Sequence, residues 1–257
     1  MSYKNGLLLK CTLTAMEALR QIEFSLTPNR LSEDEIYAIF EDARAVLTDS
    51  HFVYAAGDHG TAYINKDAVF PYTKWVSRLC EEIASRVTEE VDVVVGPALG
   101  GIILSQWLAY HLSAQGREVL AVFAEKETIT IPDPEGKGRR CFIETGNLAF
   151  NRGYAAHVHG KRVIVAEDIL NSGGSAAGAV QAVRKAGGHV VGVTALVNRG
   201  KVLANTMDVP WLISLLDVEL EKFTEAECKL VGPCSKKVLI NTLVGKGKSY
   251  LDRSKSN

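Results

Sequence analysis

The chain is 257 residues long, carries 29 Lys and Arg against 30 Asp and Glu for a formal net charge of −1, and is 47% hydrophobic. That length suits one large domain or two small ones, and the balanced charge argues against a surface built for nucleic acid. No apolar run approaches the ~18 residues that a membrane span needs, so no nucleic acid and no membrane is expected as a partner.

The opening stretch MSYKNGLLLKCTLTAMEALR has a three-Leu patch and no small-residue cleavage site, and reads as part of the mature protein. Helical spacing is expected over residues 14–24 and again over 32–47. In the second, Leu31, Ile36, Ile39, Phe40, Ala43 and Val46 recur at three- and four-residue steps behind a Ser32/Glu35 capping box. In HFVYAAGDHGTAYINKDAVF, residues 51–70, two aromatic and β-branched runs flank Gly57-Asp58-His59-Gly60, which predicts a hairpin turning there. A helix is expected over 71–87, with Pro71 near its first turn. VDVVVGP, residues 91–97, is a continuous apolar run of the kind buried on both faces of a sheet. A Gly-rich turn and a helix from about Ile102 to Ala114 follow it. EVLAVFAEKE, VIVAED and VVGVTALVN are the next strands, with a helix over Ala176–Ala186 between the last two, and WLISLLDVEL is a candidate fifth. Strands alternating with helices pair in parallel through right-handed crossovers. The expected fold is therefore α/β, a doubly wound, mostly parallel sheet flanked by helices, with its ligand beyond the carboxyl ends of the strands.

Two turns lie at those ends. In VIVAEDILNSGGS, residues 163–175, a buried strand runs into adjacent acids Glu167 and Asp168 and then into a turn that opens a helix. A helix N-terminus offers unpaired N–H groups and partial positive charge, Gly173 and Gly174 allow a ligand close to the backbone, and Ser172 and Ser175 add hydroxyls. Together these make a phosphate cradle. Carboxylates accept from sugar hydroxyls and suit Mg²⁺ through water, so the segment fits a sugar phosphate better than a simple anion. The plain alternative is a capped helix beside solvated acids. GPALGGI, residues 96–102, is a second Gly-rich turn before a helix, a weaker anion site by itself. Neither turn spells a P-loop or a dinucleotide fingerprint.

The five cysteines, Cys11, Cys80, Cys141, Cys228 and Cys234, are scattered and odd in number, which fits reduced thiols in a cytoplasm. Cys228 and Cys234 have an x5 spacing unlike a standard zinc knuckle, and no His near them in sequence completes a site. They read as free structural thiols, with a local disulfide or metal clip as the lesser reading. His157 and His159 alternate on one face of a possible strand and read as surface residues.

VIVAEDILNSGGS resembles the phosphoribosyl-pyrophosphate signature of the type I phosphoribosyltransferases. Within that family the likeness is closest to the orotate phosphoribosyltransferases. HFVYAAGDHGTAYINKD is similar to their N-terminal hood segment, VDVVVGPALGGI to their pyrophosphate-loop strand, and FAEKE to the strand carrying a loop lysine, here Lys126. The resemblance implies transfer of ribose 5-phosphate to a nucleobase with release of pyrophosphate, dependent on Mg²⁺. It implies that Glu167 and Asp168 hold the ribose hydroxyls and, through water, the metal. It gives Asn171, Ser172, Gly173, Gly174 and Ser175 the 5-phosphate, and Ala98, Leu99, Gly100 and Gly101 the pyrophosphate. TITIPDPEGKGRRCF, residues 128–142, stands where a mobile loop is expected, with Lys137, Arg139 and Arg140 as candidates to reach pyrophosphate. Tyr63 and Arg152, the latter on an expected exposed hairpin, are base-pocket candidates, each with an equally simple core or surface reading. Glu125 stands where those enzymes carry a basic residue. The implied plan is one phosphoribosyltransferase domain over 1–257, with 1–70 contributing helices and hood strands and 225–257 a C-terminal extension. A cytoplasmic homodimer is expected. The alternatives are a purine phosphoribosyltransferase, or a non-catalytic regulator that binds phosphoribosyl pyrophosphate.

Overall fold

A computed structural model describes residues 30–132 and 140–255. The helix expected over 14–24 lies outside the described residues. Among the described residues the chain divides into two compact units, one of 34–72 and 218–255, the other of 30–33 and 73–217.

The first unit is built from short elements. Helix α1 (Glu33–Asp42) buries Ile36, Ala38, Ile39 and Phe40. It ends earlier than its apolar spacing predicts, because Arg44 takes a left-handed φ of 54°. Ala45 N–H then bonds Phe40 O and Arg44 N–H bonds Glu41 O, both at 2.8 Å, the Schellman pattern that closes a helix. Val46, expected in the helix, instead starts strand β1 (Val46–Leu47), which pairs antiparallel with β4 (Tyr63–Ile64). Between them β2 (Phe52–Val53) pairs with β3 (His59–Gly60). The hairpin therefore exists, but His59 and Gly60 are strand residues and the turn lies earlier, closed by Tyr54 N–H to Asp58 O at 2.8 Å.

The second unit is a six-stranded sheet. Its strands are β5 (Val93–Pro97), β6 (Leu120–Pro132), β7 (Arg140–Ala149), β8 (Arg162–Leu170), β9 (His189–Asn198) and β10 (Leu212–Asp217), in spatial order β10-β9-β8-β5-β6-β7. All neighbours are parallel except β6 and β7. Helix α2 (Thr73–Arg86) precedes β5; α3 (Gly100–Ser113) links β5 to β6, and α5 (Gly174–Lys185) links β8 to β9. A short α4 (Ala155–Val158) stands where a strand carrying His157 and His159 was expected. Every residue of β5 is buried, as its unbroken apolar run requires. Val93, Val95, Val163 and Val165 join Ala176, Ala179, Val180 and Val183 of α5 in one core. Val94 and Ile164, equally buried, point to the opposite face by strand alternation. No helix among the described residues is long and apolar enough to cross a membrane.

The stretch expected as a mobile loop is partly strand. Thr128–Pro132 and Arg140–Glu144 extend β6 and β7 as an antiparallel ladder from Thr128↔Glu144 to Pro132↔Arg140. The Thr-Ile-Thr-Ile run is β-branched and alternating, and that preference outweighs the Pro and Gly beyond it.

Candidate functional site

Strand β8 lies between β5 and β9 and carries the acid pair at its carboxyl end, with Glu167 opposite Ala195 and Ile169 opposite Val197. This mid-sheet position leaves Glu167 only 6% and Asp168 only 7% exposed. Carboxylates so buried need donors. Asp168 N–H donates to Glu167 Oε1 at 3.0 Å, and Ile169 N–H donates to Asp168 Oδ1 at 2.6 Å.

The turn after β5 rests directly on Asp168. A Cβ on Gly100 would overlap Oδ2 of Asp168, and one on Gly101 would lie 2.7 Å from the Ala166 carbonyl oxygen. Only residues without a side chain allow the backbone so close. Ala98 N–H donates to Ala124 O at 2.8 Å, fixing the turn to β6, and the Ala98–Leu99 peptide is cis. Leu99 is 82% exposed at the tip. The sheet thus joins the two Gly-rich turns of the sequence into one surface.

The cradle after β8 completes that surface. Gly173 takes φ 77° and leads into α5 at Gly174, whose N–H lies 3.4 Å from Ser172 Oγ. Ser175 sits in the first turn of α5, and the head of that helix carries partial positive charge. Asn171 is fixed from the side by a turn the sequence reading missed. Arg199 Nε donates to Asn171 Oδ1 at 2.7 Å, and the N–H groups of Arg199 and Gly200 donate to Leu170 O at 2.9 and 3.0 Å. A Cβ on Gly200 would overlap the Asn171 carbonyl. The available signal was Asn198-Arg199-Gly200, a third polar turn directly after a buried strand.

Lys126 lies on β6 just beyond Ala124, which pairs with Pro97 at the end of β5. Its amine donates to Glu144 Oε2 at 2.6 Å, and both side chains are largely exposed. Glu125 is held by Arg152, whose Nε donates to Oε1 at 3.0 Å while the guanidinium covers the Phe123 ring at 5.6 Å. Arg152 follows β7 in the turn before α4, and its charge is already engaged by that acid. Arg140 opens β7; Lys137 and Arg139 lie outside the described residues. Tyr63 belongs to the other unit, where its ring packs 5.5 Å from Phe52 and 6.4 Å from Tyr54.

Two buried carboxylates, a backbone turn in contact with one of them and a helix opening shortly after them in the chain suit a polyol carrying phosphates. The carboxylate oxygens are hard donors of the kind that suits Mg²⁺.

Residues 72–210 match the model of the phosphoribosyl transferase domain. The orotate phosphoribosyltransferase of Pelotomaculum thermopropionicum is 35% identical over 170 residues, covering 66% of this chain and 77% of that protein. The orotate phosphoribosyltransferase of Caldicellulosiruptor bescii is 30% identical, covering 78% and 92%. Among solved structures, the orotate phosphoribosyltransferase of Mycobacterium tuberculosis superposes with a TM-score of 0.50 at 22% identity, covering 71% of this chain and 96% of that one.

Proposed function

The chain belongs to the phosphoribosyl transferase family, and from that premise we propose that it transfers ribose 5-phosphate from phosphoribosyl pyrophosphate to orotate. The observation that carries the reading is the contact of Gly100 with Asp168. It makes one site from a turn suited to pyrophosphate and an acid pair suited to the ribose of the same molecule. Glu167 and Asp168 accept from the 2- and 3-hydroxyls. Asn171, Ser172, Gly173, Gly174 and Ser175 receive the 5-phosphate at the head of α5. Ala98, Leu99, Gly100 and Gly101 face the pyrophosphate, with Lys126, Lys137, Arg139 and Arg140 as the basic groups that reach it.

The bond from C1 to the pyrophosphate oxygen breaks, the electron pair leaves with pyrophosphate, and the base nitrogen forms the new bond at C1. Positive charge develops at C1 and negative charge on the leaving group. The chain's contribution is to fix the ribose against the base and to offer N–H groups and lysine to the departing charge. Glu167 and Asp168 would hold Mg²⁺ through water; when bound, the ion neutralises pyrophosphate charge. Arg152 stands beside Phe123 and Glu125 as a group for an acidic base; Tyr63 enters as a stacking candidate on its sequence position. A homodimer in a reducing cytoplasm suits the free thiols of Cys80, Cys141, Cys228 and Cys234 and the exposed Ile129, Phe142 and Ile143 of the hairpin.

The test is pyrophosphate release with phosphoribosyl pyrophosphate, Mg²⁺ and, singly, orotate, uracil, adenine, hypoxanthine, guanine or xanthine, with Asp168→Asn as control. Release with orotate alone is expected. Release with a purine alone overturns the base assignment. Ligand binding without release from any base favours a regulator.

A further inference from the structure

His51, His59, Cys228 and Cys234 converge inside the first unit, far apart in sequence and all outside the residues matched by the family model. His51 Nε2 lies 2.7 Å from His59 Nδ1 and 3.7 Å from both Cys228 Sγ and Cys234 Sγ. Cys234 Sγ lies 3.5 Å from His59 Nδ1, and the four donor atoms all fall within 4.8 Å of one another. Tetrahedral Zn²⁺ with bonds of ~2.0–2.1 Å to nitrogen and ~2.3 Å to sulfur spaces its ligand atoms by roughly 3.3–3.8 Å. The imidazole pair alone sits closer, and would open by about half an ångström around an ion.

We propose that these four side chains form a structural Zn²⁺ site that fastens the C-terminal segment to the β2–β3 hairpin.

His51 already has the protonation of a metal ligand. His51 Nδ1 lies 3.0 Å from the Val238 carbonyl, which can only accept, so Nδ1 carries the proton and Nε2 turns its lone pair into the cluster. Cys234 N–H donates to Cys228 Sγ at 3.2 Å, the kind of bond that supports a thiolate. Gly232 lets the chain wrap that sulfur, since a Cβ there would lie 3.1 Å from Cys228 Sγ and 2.8 Å from its Cα. Without an ion the two imidazoles must share one proton across 2.7 Å, since His51 Nε2 carries none and His59 Nδ1 is the only nitrogen facing it. His51, His59 and Cys228 are at most 1% exposed. Four protein donors in a closed setting leave no position for a substrate, which marks a structural site and not a catalytic one. Two nitrogens and two thiolates select zinc over Mg²⁺ or Ca²⁺.

The site stands where the fold needs support. Strands of two residues each cannot hold a hairpin in water. Here the C-terminal segment bonds both sides of it: Asn241 N–H to His51 O at 2.7 Å, Lys246 N–H to Val53 O at 2.8 Å, and the exchanged pair between His59 and Phe223 at 2.7 and 2.8 Å. Two ligands come from each partner, so one ion would lock the arrangement.

The test is elemental analysis of the full chain, purified without chelator or metal-affinity tag. One equivalent of zinc is expected, lost in Cys234→Ser and His59→Ala and kept in Cys141→Ser. Should a ligand variant fail to fold, the wild-type chain decides. Stripped of metal and reduced, it is titrated with Co²⁺, which should give tetrahedral d–d bands and thiolate charge transfer saturating at one equivalent. Zinc-free protein whose reduced form gives no tetrahedral cobalt spectrum overturns the proposal. So does a native disulfide between Cys228 and Cys234 found by mass spectrometry.

Discussion

Gly100 and Asp168 meet with no room for a methyl group between them: a Cβ on the glycine would overlap the carboxylate oxygen Oδ2. The expected result for Gly100→Ala is therefore a fall in kcat/KM of at least tenfold, about 1.4 kcal/mol in transition-state stabilisation. The overlap is relieved only by moving the carboxylate or the turn. Circular dichroism should be unchanged, because both residues lie at the rim of the sheet. Wild-type turnover in Gly100→Ala would refute the joint site.

Asp168→Asn and Glu167→Gln keep shape and remove charge. Both variants should bind phosphoribosyl pyrophosphate in the presence of Mg²⁺ at least tenfold more weakly by calorimetry, since a neutral amide neither attracts the ion nor accepts as strongly from a hydroxyl. Unchanged affinity in both would assign the acids to structure alone.

Arg152 pairs with Glu125 of the lysine-bearing strand β6, the two side chains 60% and 26% exposed. Arg152→Ala leaves the Glu125 carboxylate uncompensated beside the proposed base pocket, so KM for orotate should rise severalfold. Adding Glu125→Gln should restore most of it. The direct coupling of so exposed a pair is worth under ~1 kcal/mol, so thermal midpoints of all three variants should stay close to wild type. If the double variant is as impaired as Arg152→Ala, repulsion by Glu125 is not the cause.

At the amino ends of β5 and β8, Asp92 is held by Arg162 through its Nε and backbone N–H at 3.0 and 2.9 Å, and by Arg117. The Arg162 hydrogen bond, above all, lowers the Asp92 carboxyl to about 2 from an ordinary 3.8. A folded-state value below the unfolded one adds stability above about pH 4 that disappears as pH falls toward 2. The shift corresponds to at most ~2 kcal/mol, and solvent around Arg162 brings it nearer ~1 kcal/mol. Asp92→Asn should lower the thermal midpoint at neutral pH and flatten its decline between pH 4 and 2. Parallel wild-type and variant curves across that range would contradict the assignment.

Much of this was legible in the sequence. Strands β5, β8 and β9 announce themselves as unbroken apolar runs, and Glu167 and Asp168 are conspicuous because nothing in a buried strand explains them. The β6–β7 ladder was obscured by Pro132 and the glycines beyond it, although its Thr-Ile alternation carried the strand signal. His59 and Gly60 look like turn residues, and become strand because Phe223 supplies a partner from far along the chain. The same distance hid the cysteine–histidine cluster: no local spacing records that residues 51–59 and 228–234 adjoin. Arg152 and Glu125 each looked like a lone charge, and only the fold pairs them.

The pairing of β5 with β8 has a consequence for how the protein responds to its ligand. Gly100 and Asp168 come from distant parts of the chain and meet only when those central strands are in register. A partly folded chain, with either half of the sheet formed alone, holds half a site. Ligand affinity therefore belongs to the complete native state, and saturation should raise the unfolding midpoint in proportion to RT ln(1 + [L]/Kd). A thermal shift assay on the unlabelled protein thus reads binding without turnover, and serves equally for catalytic and inert variants.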